Sequence, residues 1–492
     1  MAIFHQLPSE ILISVVEHIG NRDDLLAFAL TCHTLCQIII PDYLDYFRIS
    51  STRNDLGRWS RLLQSLRLFK NTRELILEEA TLRIHSRTTS RLHEGLLHMT
   101  NVRRAKFGCT LDLGHLAEIL DALAYSKCTL EEIDLGLYFQ RINESPSWEA
   151  IKGLPIWTKF DLSVLNKLAI QLRRESHLPI LGEITFLGNM LSNAHVLTHL
   201  HLTIERTNSM TFLNLAKYTW PNLENLVINS TIHLVPMGVY QNPSDLISFF
   251  KRHSSLTTLS LPSNIFPQFP NLPHYISVEH LPRLKAFSYE TPISHEVLQL
   301  NRVLSPASAR RLCHLTISEK VAERSNMDIY KELASLQSCC ITSQSTLVNY
   351  TTIHQILKIF VGRVTNLQKI HLPPQHVSDR RLQEKNFVTL SLLRGLPNLT
   401  HLSGWVSSLP GTEVTWKQQL REFQHFDKLK FVIPTRNWPT DADVNEERTL
   451  FFRFTRDSEG KLMVEDVLGD VLPSGVGYLS WGGFYRGMVN EV

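Results

Sequence analysis

The chain is 492 residues long, more than one compact core holds, so it is built from two or more units or from a repeat array. A net charge of only +3, with 20% charged residues, excludes a broad polyanion-binding surface, which needs clustered Lys and Arg. Seven cysteines without a CxxC pair or zinc-ligand spacing argue against a disulfide or zinc framework and read as thiols of a reducing compartment.

The first apolar stretch contains Glu10, Glu17 and His18, which the core of a signal peptide would not tolerate. No run of eighteen apolar residues occurs. The expectation is a soluble protein of the cytoplasm or nucleus with no membrane and no nucleic-acid partner. The chain opens Leu7-Pro8-Ser9-Glu10-Ile11-Leu12, and apolar residues return at Val15, Val16 and Ile19, the spacing of a helical stripe. Pro8 suits a first helical turn, where its missing N–H costs nothing. Gly20-Asn21 ends this helix, and Asp23-Asp24 open a second with negative charge at its positive end. Leu25, Leu26, Phe28, Ala29 and Leu30 follow, and a third short helix is predicted from Leu35 to Ile40, before Pro41. A bundle of about forty residues is barely stable alone. This one carries more large aliphatics than it can hide, so another protein or the rest of the chain should cover the surplus.

The order Leu7-Pro8-x-Glu10-Ile11-Leu12, then Leu25-Leu26-x-x-Ala29-Leu30-Thr31-Cys32, resembles the F-box over roughly residues 4–45. Thr31 stands where Val is frequent, and Leu35 near the place of a large aromatic. The resemblance implies a three-helix element whose apolar face docks on a Skp1-like adaptor and so joins a cullin–RING ubiquitin ligase. The implied contact residues are Leu7, Pro8, Glu10, Ile11, Leu12, Val15, Leu25, Leu26, Leu30 and Cys32. An ordinary helical cap on the repeats that follow is the alternative.

From residue 70 one pattern returns: apolar, two residues, apolar, one residue, apolar. Examples are Leu130-Ile133-Leu135, Leu165-Leu168-Ile170, Leu197-Leu200-Leu202, Leu256-Leu259-Leu261 and Leu312-Leu315-Ile317. A long gap before Leu367 has room for a degenerate copy at Leu336-Cys339-Ile341. This is the strand signature of a leucine-rich repeat: the last two apolar residues point to one side of a strand, and stacked strands line a shared core. The predicted fold is α/β, an irregular solenoid of about eleven or twelve repeats over 46–435, with a parallel concave sheet, convex helices and a C-terminal β-hairpin cap. Helices are predicted over Asp55–Phe69, Leu113–Tyr125, Pro243–His253 and Asn349–Val361. The irregular repeats, without the usual Asn after the strand, resemble the divergent arrays of fungal F-box proteins.

Residues flanking the apolar positions are mainly polar, which predicts one sheet face open to solvent, since a doubly buried parallel sheet is apolar on both sides. That face supplies the candidate target-binding residues His199, His201, Asn225, His314, His371, His401 and Trp405. Trp405 either anchors a partner or packs on the cap. Glu74 and Glu78, Arg104 and Lys106, then Glu132 and Asp134 form acidic, basic and acidic stripes, which either pair across strands or pattern a docking site. Five prolines between Pro262 and Pro282 predict a long loop, and 138–160 a second insertion. Alternation at Leu450, Phe452 and Phe454, a turn at 457–460, then Leu462 and Val464 predict the hairpin, within a cap and glycine-rich tail over 436–492.

No HExxH, GxSxG, GxxxxGK[ST] or kinase-like set occurs, and the 22 histidines read as polar surface residues rather than metal ligands. The expectation is a non-enzyme without cofactor or metal: the substrate-recognition subunit of an SCF-type ligase, holding an unidentified protein target. The alternative is a leucine-rich-repeat scaffold or small-GTPase regulator unrelated to ubiquitin.

Overall fold

The computed structural model describes residues 7–19, 21–50, 66–77, 94–108, 113–139, 162–174, 190–205, 218–230, 243–262, 274–290, 299–342, 350–373, 389–407, 423–435, 449–456 and 462–469. Two compact units result, residues 1–223 with 229–237, and residues 224–228 with 238–492.

The first unit begins with three helices: α1 (Ser9–His18), α2 (Arg22–Ala29) and α3 (His33–Ile39). The Asn21 side chain accepts the Asp23 N–H at 2.9 Å, the capping bond expected before a first turn that carries Asp23 and Asp24. Leu12, Val16, Leu25, Ala29, Leu35 and Ile39 fill the bundle, joined by Tyr43 and Phe47. The chain then passes through a wide turn at Ile40–Leu44 and a short helical turn at Asp45–Phe47 straight into a strand.

That strand, β1 (Arg48–Ser50), is followed by β2 (Glu74–Leu77), β3 (Arg104–Phe107), β4 (Glu132–Phe139), β5 (Lys167–Arg174) and β6 (His199–Glu205). Each pairs in parallel with the next. The predicted apolar positions fall into register: Leu75, Ala105, Ile133, Leu168 and Leu200, joined by Ile49, form one buried row, and Leu77, Phe107, Leu135, Ile170 and Leu202 a second. Burying each large side chain stabilises the stack by about 1.5–3 kcal/mol. The helix Leu113–Tyr125 forms where predicted and ends at Lys127, whose φ of 58° is the left-handed turn that closes many helices.

The second unit holds β7 (Asn225–Ser230), β8 (Thr258–Pro262), β9 (Ala286–Glu290), β10 (His314–Ser318), β11 (Ser338–Thr342), β12 (Lys369–His371), β13 (His401–Ser407) and β14 (Phe431–Thr435), paired in parallel in that order. β15 (Thr449–Arg456) and β16 (Leu462–Gly469) then form the antiparallel hairpin on β14. The degenerate copy at Leu336-Cys339-Ile341 is a full repeat, since Cys339 and Ile341 are buried in β11. Helices form at Pro243–Arg252 and Tyr350–Arg363, so this chain has the α/β leucine-rich-repeat architecture.

One hydrogen-bond device recurs. Before most of the parallel strands, from Arg73 to Asn166 and from Glu224 to Thr400, the preceding carbonyl accepts two N–H groups from the start of the following strand. Arg73 O takes Arg103 and Arg104 at 2.9 and 3.1 Å, and Glu131 O takes Asn166 and Lys167 at 2.9 and 3.1 Å. In the second unit Thr400 O takes Lys430 and Phe431 at 2.8 and 3.1 Å. The bend into these strands thus has its carbonyl satisfied by the neighbouring repeat.

Some expectations change. β1 was not anticipated, because its only apolar anchor is Ile49 and no leucine leads it. The proline-rich segment is not wholly a surface loop: Tyr275, Ile276 and Leu281 are buried, and Ile276 forms a parallel bridge with Leu304. Tyr138 and Phe139 extend β4, whereas 140–160 lies outside the described residues. Of the helix expected over Asp55–Phe69, only Leu66 onward is described, as the 3-10 turn Leu66–Asn71. The hairpin turn and glycine-rich tail also lie outside the described residues.

Candidate functional site

α1 is apolar on two sides. Leu12 and Val16 point into the bundle, while Leu7, Ile11 and Val15, spaced four apart, point out of it. Ile11 is 50% exposed, and Leu30, capping the end of α2, is 69% exposed near an exposed Leu26. Pro8 and Glu10 are also exposed, and Cys32 is half-buried against the bundle core. Leu12 and Leu25 are corrections to the predicted contact set. Both are interior, so they hold the helices together and cannot meet a partner without unfolding them. Ile13 was missed although it is exposed. Its signal was available: an isoleucine flanking the stripe has no place in a core already filled by Leu12 and Val16. The bundle therefore has a complete interior and a surplus of oily surface. Covering such a side chain is worth about 1.5–3 kcal/mol.

The second face of the sheet differs between the units. In the first, Arg48, Glu74, Arg104, Glu132 and Lys167 occupy one register row with alternating sign. Arg104 reaches Glu74 at 2.8 Å and Glu132 at 3.4 Å, and Lys167 reaches Glu132 at 3.1 Å. Lys106 and Asp134 pair at 3.9 Å in the next row. The cations are about half exposed and the acids less so, and each pair still contributes under ~1 kcal/mol. Cross-strand pairing accounts for Glu74, Arg104, Lys106, Glu132 and Asp134, whereas Glu78 lies outside the described residues. His199 and His201 continue these rows, half-buried, with Nδ1 of His199 at 2.8 Å from Thr198 Oγ1 and Nε2 of His201 at 3.0 Å from Thr203 Oγ1.

In the second unit the corresponding rows begin Asn225, Thr258, Ala286, His314, Ser338 and Val227, Ser260, Ser288, Thr316, Cys340. All are buried, Thr316 to 1% exposure. The expectation of a solvent-open face therefore fails across β7–β11. The reason is chemical: these side chains are short and carry no fixed charge, so burial costs at most a hydrogen bond each, not an ion's hydration. Three of their oxygens, Asn225 Oδ1, Thr258 Oγ1 and Thr316 Oγ1, have no hydrogen-bond partner. Asn225 and His314 are thus interior in this structure.

Farther along, His371 Nδ1 lies 3.0 Å from Ser403 Oγ, its register partner. His401 stacks on Phe431 with ring centroids 5.0 Å apart and lies 2.7 Å from Thr400 Oγ1. Burial pushes the pKa of His371 down to about 4. His401 falls to about 4 as well, through burial first and then Lys369 and Lys430. Both imidazoles are therefore neutral near pH 7. Trp405 lies in β13, but its side chain is outside the described residues. The predicted target-binding residues are thus spread over β6, β7, β10, β12 and β13, and several of those described are held by local bonds. Among the described residues no group of three His, Cys, Asp or Glu could hold a metal ion, and no helix is long and apolar enough to cross a membrane.

No protein-family model and no curated protein matches the chain. Among solved structures it is similar to a chain of the yeast Rad7 and Elc1 complex, at 15% identity over 81% of this chain and 92% of that one, with a TM-score of 0.39. It is similar to a chain of the TLR13–ssRNA13 complex at 16% identity, over 78% and 54% of the two chains, TM-score 0.32. A chain of the Drosophila Toll–Spatzle complex matches at 12% identity over 79% and 54%, TM-score 0.32. The chain spans about half the length of these last two.

Proposed function

We propose that this chain is the substrate-recognition subunit of an SCF-type ubiquitin ligase, binding a Skp1-like adaptor through α1 and α2 and a target protein through its repeats. The observation that carries the reading is a helical bundle with a filled interior that still leaves Leu7, Ile11, Val15, Leu26 and Leu30 in water. Exposed clusters of this kind mark protein-binding surfaces, and they coincide with the residues that resemble the F-box. The chain then does no chemistry itself. It brings a target to the transferring subunits, an effect of proximity and orientation. Its place is the cytoplasm or nucleus.

The reading is tested by coexpressing the chain with a Skp1-like adaptor and purifying through the adaptor. Wild-type chain should copurify. Ile11→Ala with Leu30→Ala should cost about 2 kcal/mol per side chain in binding, enough to lose the complex. The double variant should keep its melting temperature, because neither side chain is in the core. A wild-type chain that ignores the adaptor, or a double variant that still binds, returns the protein to the scaffold class.

A further inference from the structure

The residue just before a strand commonly offers its carbonyl to the next repeat, and its side chain is normally left outside. From Arg103 through Glu131, Asn166 and Thr198 in the first unit, and from Glu224 to Lys430 in the second, this side chain is exposed or half-exposed. Two residues depart from the rule: Phe47, before β1, which fills the bundle core, and Arg73, which is 7% exposed. Its guanidinium turns back toward the bundle, where Nη2 donates to Glu17 O in the last turn of α1 at 3.1 Å and Nη1 donates to Lys70 O at 2.9 Å. Its own N–H donates to Phe47 O at 2.9 Å, at the point where the bundle runs into β1. One residue therefore ties the end of α1, the bundle-to-sheet junction, the turn before β2 and the start of β3.

The chemistry suits the place. The last turn of a helix presents unsatisfied carbonyls and partial negative charge, which a cation with a rigid fork of donors fills better than any neutral side chain. Burial and then Arg103 weigh against the guanidinium's charge, while Glu17 and Tyr43 favour it. A second tie lies alongside: Asn71 Nδ2 donates to Asp42 O at 2.8 Å. The neighbouring Lys70–Glu17 pair, 3.7 Å apart and well exposed, adds little.

We propose that Arg73 is a positioning residue that locks α1 to the first repeats, so that a partner docked on the exposed stripe of α1 and α2 is carried at one fixed attitude to the sheet of the first unit. The functional part of this rests on the adaptor-docking reading above; the lock itself does not.

The test places spin labels, through clickable unnatural amino acids that leave the native cysteines alone, at Ser14 on α1 and at Tyr125, both exposed. The distance distribution is measured on the free chain. Wild type should give one narrow distance. Arg73→Met should broaden it, while adaptor affinity changes less than about threefold and the β3–β5 amides keep their exchange protection. Arg103→Met, at the equivalent place one repeat later, should leave the distance narrow. Arg73→Lys keeps the charge without the fork and should broaden the distribution less, and it decides the matter if Arg73→Met does not fold. A broad distribution in the wild type, or one that stays narrow in both Arg73 variants, overturns the proposal. Absence of adaptor binding by the wild type would instead sink the docking reading and leave the lock standing.

Discussion

Each unit carries a polar sheet face, and the two faces are built differently. Across β1–β5 the face is a ladder of alternating ions, about half in water, whose pairing rewards one register. Across β7–β11 it is a run of Ser, Thr, Ala, Asn, Cys and His sunk out of solvent. Both read as polar in the sequence, yet polarity and exposure are separate properties. A charged side chain must keep its water, whereas a hydroxyl can be interior for the cost of one hydrogen bond. Fixed charge, more than hydrophilicity, marks the wet part of this sheet.

Putting an ion on each face should separate them most. Ser288→Asp would bury an unpaired carboxylate and is expected to cost about 3–5 kcal/mol, whereas Ala169→Lys, set beside Asp134 in the first unit, should change stability by less than ~0.5 kcal/mol. Chemical denaturation of the two variants reads the contrast, and equal losses would erase it. Acid should pick out the second unit next. Burial, opposed by the Phe249 carbonyl and aided by Arg252, lowers the pKa of fully buried His253 to about 4, and His371 and His401 fall to about 4 as well. A base whose folded pKa lies below its ordinary 6.5 takes up more protons unfolded, so its contribution is complete above pH 6.5 and is lost as pH falls toward 4. His253 alone accounts for on the order of 3 kcal/mol. Hydrogen exchange between pH 7 and 4.5 should show β7–β13 losing protection before β2–β5. Smaller again is the expected gain from Thr316→Val. It removes an unpartnered interior hydroxyl and should raise stability by about 1 kcal/mol, a prediction that a lowered melting temperature would defeat. Least of all, Glu132→Gln, which breaks the pairs with Arg104 and Lys167, should cost about 0.5–1 kcal/mol at low salt and nothing measurable in 1 M salt.

The repeat was legible because its signal is positional: two apolar residues set two apart can share a core only on a strand, and each such pair from Leu75 to Leu372 lies in the buried rows. β1 escaped because three residues cannot show a period. The bundle was legible as a bundle, but not its inside from its outside. Ile11, Leu12, Val15 and Val16 lie on neighbouring stripes of one helix, and spacing alone does not say which stripe is covered. Hence Leu12 and Leu25 were assigned outward and Ile13 was passed over. The interior Ser and Thr of β7–β11 were misread because each is permissive by itself. Only the absence of any fixed charge from the first two positions of that face over five successive strands would have given them away.

The doubled acceptor before most of the parallel strands has a further consequence. From Arg73 to Asn166 and from Glu224 to Thr400 each module presents the same two-pronged socket, so whole modules can be gained or dropped over evolutionary time without redesigning the joint. Ordering can also spread outward from any formed module, since each contact closes a chain segment of only about thirty residues. Length in such a molecule is a quantity that selection can tune by copying, separately from whatever its amino-terminal helices bind.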